Sequence, residues 1–228
     1  MGLTDVDLTV PVQNPARILC VGKNYVAHIT ELDSTGKPTD YPTIFTRFNS
    51  SMVGPGEPLV KPAASDHFDY EGELAVVIGR TVRGVGVDEA LDVVAGYSCF
   101  LDGSIRDFQR HTTQFIPGKN FDRTGSWGPW IVTADEVDDP GALGLTTTVG
   151  GEVLQDASTD LMIFDVATVV SYCSTFTTLE PGDVIATGTP SGVGLGRTPP
   201  RWLTPGEDVT VSIAGIGDLT NPVIAEQT

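Results

Sequence analysis

The sequence predicts a mainly β, α+β fold with a few short helices, formed as one domain over residues 1–228 with a short N-terminal segment, 1–17. Three observations lead there. Short β-branched apolar runs bounded by glycine or proline recur along the whole chain, as at 18–21 (Ile-Leu-Cys-Val) and 74–78 (Leu-Ala-Val-Val-Ile). Pro-Gly turns at 181–182 and 205–206 stand ahead of late apolar runs. Few windows carry helical periodicity. At 228 residues the chain is long enough for one sizeable core, and no linker, repeat or low-complexity tract divides it.

Taken in order, 18–21 is a strand ended by Gly22, after which Asn24 can cap a helix carrying Tyr25, His28, Glu31 and Leu32. Residues 33–43 are polar with Pro and Gly, long enough for a lid. A strand at 44–48 carries Arg47, which faces an anionic ligand or solvent, and 51–62 is rich in turns. The run at 74–78 reads as a strand buried on both faces. Asp88 caps a helix to about residue 95, stopped by Gly96. A strand at 97–101 ends at Asp102-Gly103, and 104–111 is a polar helical turn with Ile105 and Phe108 turned inward. Residues 112–130 are irregular; their aromatic residues, glycines and Lys119 suit a pocket wall. Strands at 131–133, 145–149, 184–187 and 209–213 follow, interrupted by one helix from Asp165 to about Ser174.

A formal net charge of −17 argues against nucleic acid or an anionic membrane as partner. An anionic substrate would meet an opposing field, so a metal and local Lys or Arg residues must reverse the potential inside any site that takes one. No apolar run approaches the roughly 20 residues that cross a bilayer. Residues 1–7 lack the basic and apolar regions of a secretory signal. Cys20, Cys99 and Cys173 are odd in number and widely spaced, as expected of core thiols in a reducing compartment, so the expected location is cytoplasmic. Neither a phosphate-binding Gly-x-x-x-x-Gly-Lys-Ser/Thr loop nor a Gly-x-Ser-x-Gly elbow occurs. Gly-Val-Gly-Leu-Gly at 192–196 does not stand between a strand and a helix, as a dinucleotide fingerprint requires, and reads as a loop.

The chemistry concentrates around Asp69-Tyr70-Glu71-Gly72-Glu73. Side chains alternate across a strand, so Glu71 and Glu73 point the same way with Cα atoms roughly 6–7 Å apart. Two carboxylates at the mouth of a buried strand repel and lose hydration, and a hard divalent cation is the simplest compensation. The competing reading is two solvated glutamates at a strand end. Gly72 between them lets a ligand or another backbone come close, and Asp102 supplies a third carboxylate. His28 and Glu31, three apart, share a helical face and form either a general base with its partner or a surface pair.

These pieces together resemble the fumarylacetoacetate hydrolase family over nearly the whole chain, from about Ile18 to Asn221. The resemblance rests on motifs in register: Val21-Gly22-Lys23-Asn24-Tyr25 with His28 and Glu31; Asp69 to Leu74; Ala95-Gly96-Tyr97 with Asp102, Arg106 and Asp107. Gly118-Lys119-Asn120-Phe121-Asp122, Gly128-Pro129-Trp130, Pro181-Gly182-Asp183 and Thr187-Gly188-Thr189-Pro190 complete the set. It implies a mixed β-sandwich roll, the catalytic core of larger members, assembled as a homodimer. Glu71, Glu73 and Asp102 are then ligands of Mg2+ or Mn2+, and all-oxygen ligation suits such an ion. Lys119 lies beside the metal, and His28 with Glu31 forms a catalytic dyad on a segment that orders when substrate binds. Thr189 binds the substrate carboxylate, Arg106 and Gln109 line the pocket, and Tyr25 and Arg47 are further substrate contacts. Many members carry lysine then proline where this chain has Arg47-Phe48, which puts substrate identity in doubt.

The expected substrate is a small anionic 2-oxo acid. The expected reaction is metal-dependent C–C hydrolysis of an acylpyruvate through a pyruvate enolate. The alternative is isomerisation or decarboxylation of a 2-hydroxymuconate-type dienoate or of oxaloacetate, in aromatic catabolism. A non-catalytic metal- or sugar-acid-binding β module would have no use for His28, Glu31 and Lys119.

Overall fold

In the computed structural model, which describes residues 7–227, the first apolar run forms β1 (Ile18–Gly22). Residues 1–6 of the N-terminal segment, and residue 228, lie outside that description. Helix α1 (Val26–Leu32) and strand β2 (Thr43–Thr46) follow, β2 returning antiparallel to β1. Short strands β3 (Met52–Val53), β4 (Leu59–Lys61) and β5 (Phe68–Asp69) lead into β6 (Gly72–Ile78). Then come β7 (Val94–Leu101), β8 (Ser104–Ile105), the one-turn helices α2 (Arg106–Gln109) and α3 (Ile116–Lys119), and β9 (Gly125–Thr133). Strands β10 (Gly144–Val149) and β11 (Glu152–Ser158), helix α4 (Val166–Phe176), and strands β12 (Val184–Ala186), β13 (Asp208–Ile213) and β14 (Gly217–Ala225) complete the order.

Among the described residues these strands make a seven-stranded mixed sheet ordered β2-β1-β12-β6-β7-β9-β3, a five-stranded sheet ordered β11-β10-β13-β14-β4, and the small pair β5-β8. The mainly β, α+β class is what the sequence predicts. Strand β6 lies mid-sheet, and its alternation divides two cores. Leu74, Val76 and Ile78 join the large cluster with Leu145, Val209 and Leu219 of the second sheet, while Ala75 and Val77 join Ile18, Cys20, Val184 and Trp127 on the other face. Each large aliphatic side chain so buried contributes about 1.5–3 kcal/mol, which makes β6 a rigid base for anything at its start.

Several local expectations change. The predicted helix at 88–95 is a 3-10 stretch, Val87–Val93, and Gly96 lies inside β7, paired with Val77 and Thr133, rather than ending a helix. Sheet pairing overrides a weak helical pattern there. The turn-rich segment 51–62 holds β3 and β4, and β9 begins at Gly125, six residues before the predicted strand. Asn24 does not cap α1; the N-cap is Tyr25, without a side-chain bond. The Asn24 side-chain amide instead donates to the carbonyls of Phe164 and Thr187 and accepts from the Phe164 N–H, pinning the approach to α1 against two later segments. Asp165 does cap α4, accepting the Thr168 N–H at 2.8 Å.

Candidate active site

The antiparallel register of β6 and β7 builds the centre. Gly72 stands opposite Leu101, so the next residue, Asp102, donates its N–H to the Glu71 carbonyl at 2.9 Å and joins Glu71 and Glu73. The three carboxylates are buried, each with an oxygen within 4.8 Å of the others. Gly72 is needed for close approach, but to the second sheet: a Cβ there would lie 2.1 Å from Thr147 Oγ1.

Around this centre three buried cations, Arg47, Arg106 and Lys119, answer four buried carboxylates, Asp69, Glu71, Glu73 and Asp102. Arg106 Nε donates to Asp69 Oδ2 at 2.7 Å, and its Nη2 lies 2.7 Å from Glu71 Oε1, out of line for a hydrogen bond. Lys119 Nζ reaches Glu71 Oε2 at 2.5 Å and Asp102 Oδ2 at 2.6 Å, over the Phe45 ring. Arg47 Nη1 donates to Asp102 Oδ1 at 2.6 Å. Burial opposes ionisation of Glu71, but Arg106 and Lys119 outweigh it and hold its carboxyl well below the usual range. Glu73 is the unanswered one. Burial, then the charges of Asp102 and Glu71, push its pKa well above the ordinary value, and the Gly188 N–H at 2.8 Å is its hydrogen-bond donor. A site of carboxylate oxygens with one uncompensated negative charge fits a divalent cation. Such an ion would turn the excess to positive.

Above the triad lies a cavity of about 510 Å³, whose wall includes His28, Arg106, Gln109, Lys119 and Thr189. The wall carries five basic side chains (Lys23, Lys37, Arg106, Arg110, Lys119) against four acidic ones (Asp33, Glu71, Glu73, Asp102). In a chain of net charge −17 this is the local reversal an anion needs. His28 is buried; its Nδ1 lies 3.6 Å from Glu31 Oε2, beyond hydrogen-bond reach, and has no hydrogen-bond partner among the described residues. The Glu31 carboxylate is held instead by the Gly192 N–H, 3.0 Å from both oxygens. Gln109 Oε1 accepts from Arg106 Nη1 at 3.0 Å. The Thr189 hydroxyl donates to the Gly72 carbonyl at 3.0 Å and accepts from Gln155 Nε2 at 2.8 Å. Its single proton is therefore committed, and a carboxylate would have to compete for it.

Two residues expected to touch substrate stand behind the wall. The Arg47 guanidinium donates from Nε to Ser51, from Nη1 to Asp102 and the Gly103 carbonyl, and from Nη2 to the Ser51 carbonyl and Thr124. All five N–H groups are used, so Arg47 orients a carboxylate of the triad and has no donor left for a ligand. The forked shape explains why arginine stands here. Arg47→Lys should cost about 1–3 kcal/mol by leaving buried acceptors unpaired, read as a fall in Tm with folding retained. An unchanged Tm would refute this role. Tyr25 is buried and bridges to Met162; burial, then the nearby Glu73 charge, push its phenol pKa up and keep it neutral. Phe115 lies on the wall, as expected of the aromatic residues of 112–130, but sequence reasoning missed Lys23, Lys37 and Arg110 there, and Asp69 and Gln155 beneath it. Lys23 and Asp69 were within the quoted motifs; the others carried no local signal.

Comparison with known proteins gives a consistent result. The family profile described as fumarylacetoacetate (FAA) hydrolase C-terminal matches residues 17–224. The chain is 40% identical over 223 residues to the Xenopus laevis protein named oxaloacetate tautomerase fahd2, mitochondrial, covering 97% of this chain and 69% of that one. A crystal structure of 2-hydroxyhepta-2,4-diene-1,7-dioate isomerase from Mycobacterium marinum is similar with a TM-score of 0.87 and 41% identity, covering 100% of this chain and 81% of its own. The crystal structure of maleylpyruvate hydrolase from Sphingobium sp. SYK-6 in complex with manganese (II) ion and pyruvate is similar with a TM-score of 0.85 and 32% identity, covering 100% of this chain and 77% of its own. The carboxylate triad and its cations are therefore found on a fold shared with isomerases and a hydrolase.

Proposed function

The chain belongs to the fumarylacetoacetate hydrolase family, and from that membership we propose that it is a divalent-metal-dependent isomerase interconverting the keto and enol forms of a small 2-oxo dicarboxylate of the oxaloacetate type. The observation that carries this reading is the cavity itself, where His28 shares with the carboxylate triad a wall whose charge opposes that of the whole chain. The names of similar proteins, oxaloacetate tautomerase and a heptadienedioate isomerase, support keto–enol chemistry on dianions. The balance of support thus moves from the C–C hydrolysis expected of the sequence to its isomerase alternative.

Glu71, Glu73 and Asp102 would hold Mg2+ or Mn2+, which when bound supplies Lewis-acid polarisation of a 2-oxo acid. Lys119 and Arg106 neutralise the carboxylates around it and keep the site attractive to an anion. His28, as neutral imidazole, would take a proton from C3 of the substrate; the C–H electron pair becomes the C2–C3 double bond, and the 2-oxygen takes up a proton in exchange. Glu31 would stabilise and orient the imidazolium. No atom is gained or lost, as a tautomerisation requires.

Lys23, Lys37 and Arg110 at the exposed edge of the cavity would face the second carboxylate of such a substrate. Arg110→Ala is then expected to raise KM for oxaloacetate about two- to fivefold with kcat kept, an effect that shrinks as salt is added. A KM indifferent to both substitution and salt would remove Arg110 from recognition.

A second reading is favoured by the same dyad. A His28–Glu31 pair can activate water as well as carbon, and the similar Sphingobium structure is named a maleylpyruvate hydrolase. The deciding experiment follows decay of the oxaloacetate enol absorbance with Mg2+ or Mn2+ and again with EDTA, beside pyruvate release from acetylpyruvate and fumarylpyruvate. Metal-dependent decay without pyruvate supports the isomerase. Pyruvate from the diketo acids supports the hydrolase, pyruvate from oxaloacetate a decarboxylase, and no turnover of any overturns the enolising site.

A further inference from the structure

The glycine-rich stretch 192–196 has no part in the chemistry above, yet its backbone meets both halves of the site. The Gly192 N–H holds the Glu31 carboxylate, 3.0 Å from each oxygen. Two residues on, the Gly194 N–H donates to Asp69 Oδ1 at 2.7 Å and the Leu195 N–H to Asp69 Oδ2 at 3.0 Å. Asp69 is wholly buried and also accepts Arg106 Nε at 2.7 Å and the Tyr70 N–H at 2.8 Å. The Gly192 carbonyl is clamped by the Tyr70 hydroxyl at 3.1 Å. At the far end, Gly196 leaves the space that Glu31 fills: a Cβ there would lie 2.3 Å from Glu31 Cγ and Oε1.

We infer that residues 192–196, nailed down by Asp69, form a seat that receives Glu31 and so fixes the His28–Glu31 pair relative to Arg106 and the carboxylate triad. Asp69, Gly192 and Gly196 are then positioning residues, and the inference rests on the reading of His28 and Glu31 as the catalytic pair. Helix α1 has seven residues and no capping side chain; helices that short are marginal alone, so tertiary anchors set their orientation. Asn24 anchors the start of α1 and Glu31 its end. The seat joins this helix, across 161 residues of sequence, to the segment that also grips Asp69.

Gly196→Ala tests the seat, because the Gly196 backbone lies outside the left-handed region and the added methyl changes only the space beside Glu31. With oxaloacetate and Mg2+, kcat should fall about 10- to 100-fold, the loss typical of a misplaced catalytic group, while Mg2+ affinity by calorimetry stays within about twofold. Glu31→Asp, which shortens the side chain, should cost less in the Gly196→Ala background than alone, because it makes room for the methyl. Independently of any substrate, hydrogen exchange across 26–32 should quicken in Gly196→Ala while β6 stays protected. A kcat within twofold of the parent, additive losses, unchanged exchange, or loss of Mg2+ affinity together with kcat would each overturn the seat. His28→Ala separates the two readings: if it leaves turnover intact, the catalytic pair itself is wrong. If it abolishes turnover while Gly196→Ala is silent, the seat alone fails.

Discussion

His28→Ala is expected to lower metal-dependent enolisation of oxaloacetate by about 10²–10⁴-fold, the range for loss of a general base, while Mg2+ affinity is unchanged. The asymmetry follows from placement. His28 is on α1 and lines the cavity, whereas the three carboxylates that suit a metal lie within β6 (Glu73), just before it (Glu71) and just after β7 (Asp102). Its Nδ1 already faces Glu31 at 3.6 Å, so modest closure would convert a near contact into a hydrogen bond that holds one tautomer. Calorimetry with Mg2+ and a progress curve with oxaloacetate suffice as the check. If metal affinity falls with the rate, His28 belongs to the metal site and the assignment of the base is wrong.

Glu73→Gln is expected to have the largest effect on metal binding and an opposite effect on the metal-free protein. With an ion, Glu73 would be a ligand; without one, burial and its two carboxylate neighbours disfavour its charge. Replacing the carboxylate by the isosteric amide should therefore leave the metal-free protein at least as stable as the parent. In the parent, Mg2+ at about 100 times its Kd should add about 2.7 kcal/mol, which for a chain of this length is a rise in Tm of about 5–10 °C. The variant should show almost none of that rise. A full Mg2+-dependent shift in Glu73→Gln would falsify the triad as the metal site.

The two assignments differ in how much of each could be read from the chain. The common face of Glu71 and Glu73 follows from the two-residue period of a strand, which holds wherever the strand is placed. The burial of β6 likewise follows from an unbroken apolar run. Asp102 is different: its approach to Glu71 depends on the register of β6 against β7, and no spacing in the sequence encodes a register. The resemblance to a family pointed to it, and the ladder places it. The same limit explains the errors. Arg47 reads locally as a strand residue facing an anionic ligand or solvent, but the 3-10 turn Asn49–Ser51 and Thr124 close over it and consume its donors. Gly96 reads as a helix stop, but β7 runs through it.

By itself, then, the sequence determined the properties set by neighbours along the chain: the mainly β class, the double-sided burial of β6, the paired carboxylates and the sharing of a helical face by His28 and Glu31. Only the tertiary structure decided which charges meet. Lys119 bridging Glu71 and Asp102, Arg106 shared with Asp69, the basic cavity edge and the grip of Gly192 on Glu31 are contacts between residues far apart in the chain. Local periodicity fixes the direction of a side chain within its own element. The partner it meets depends on how separate elements pack, and that is settled by burial of the whole core at once.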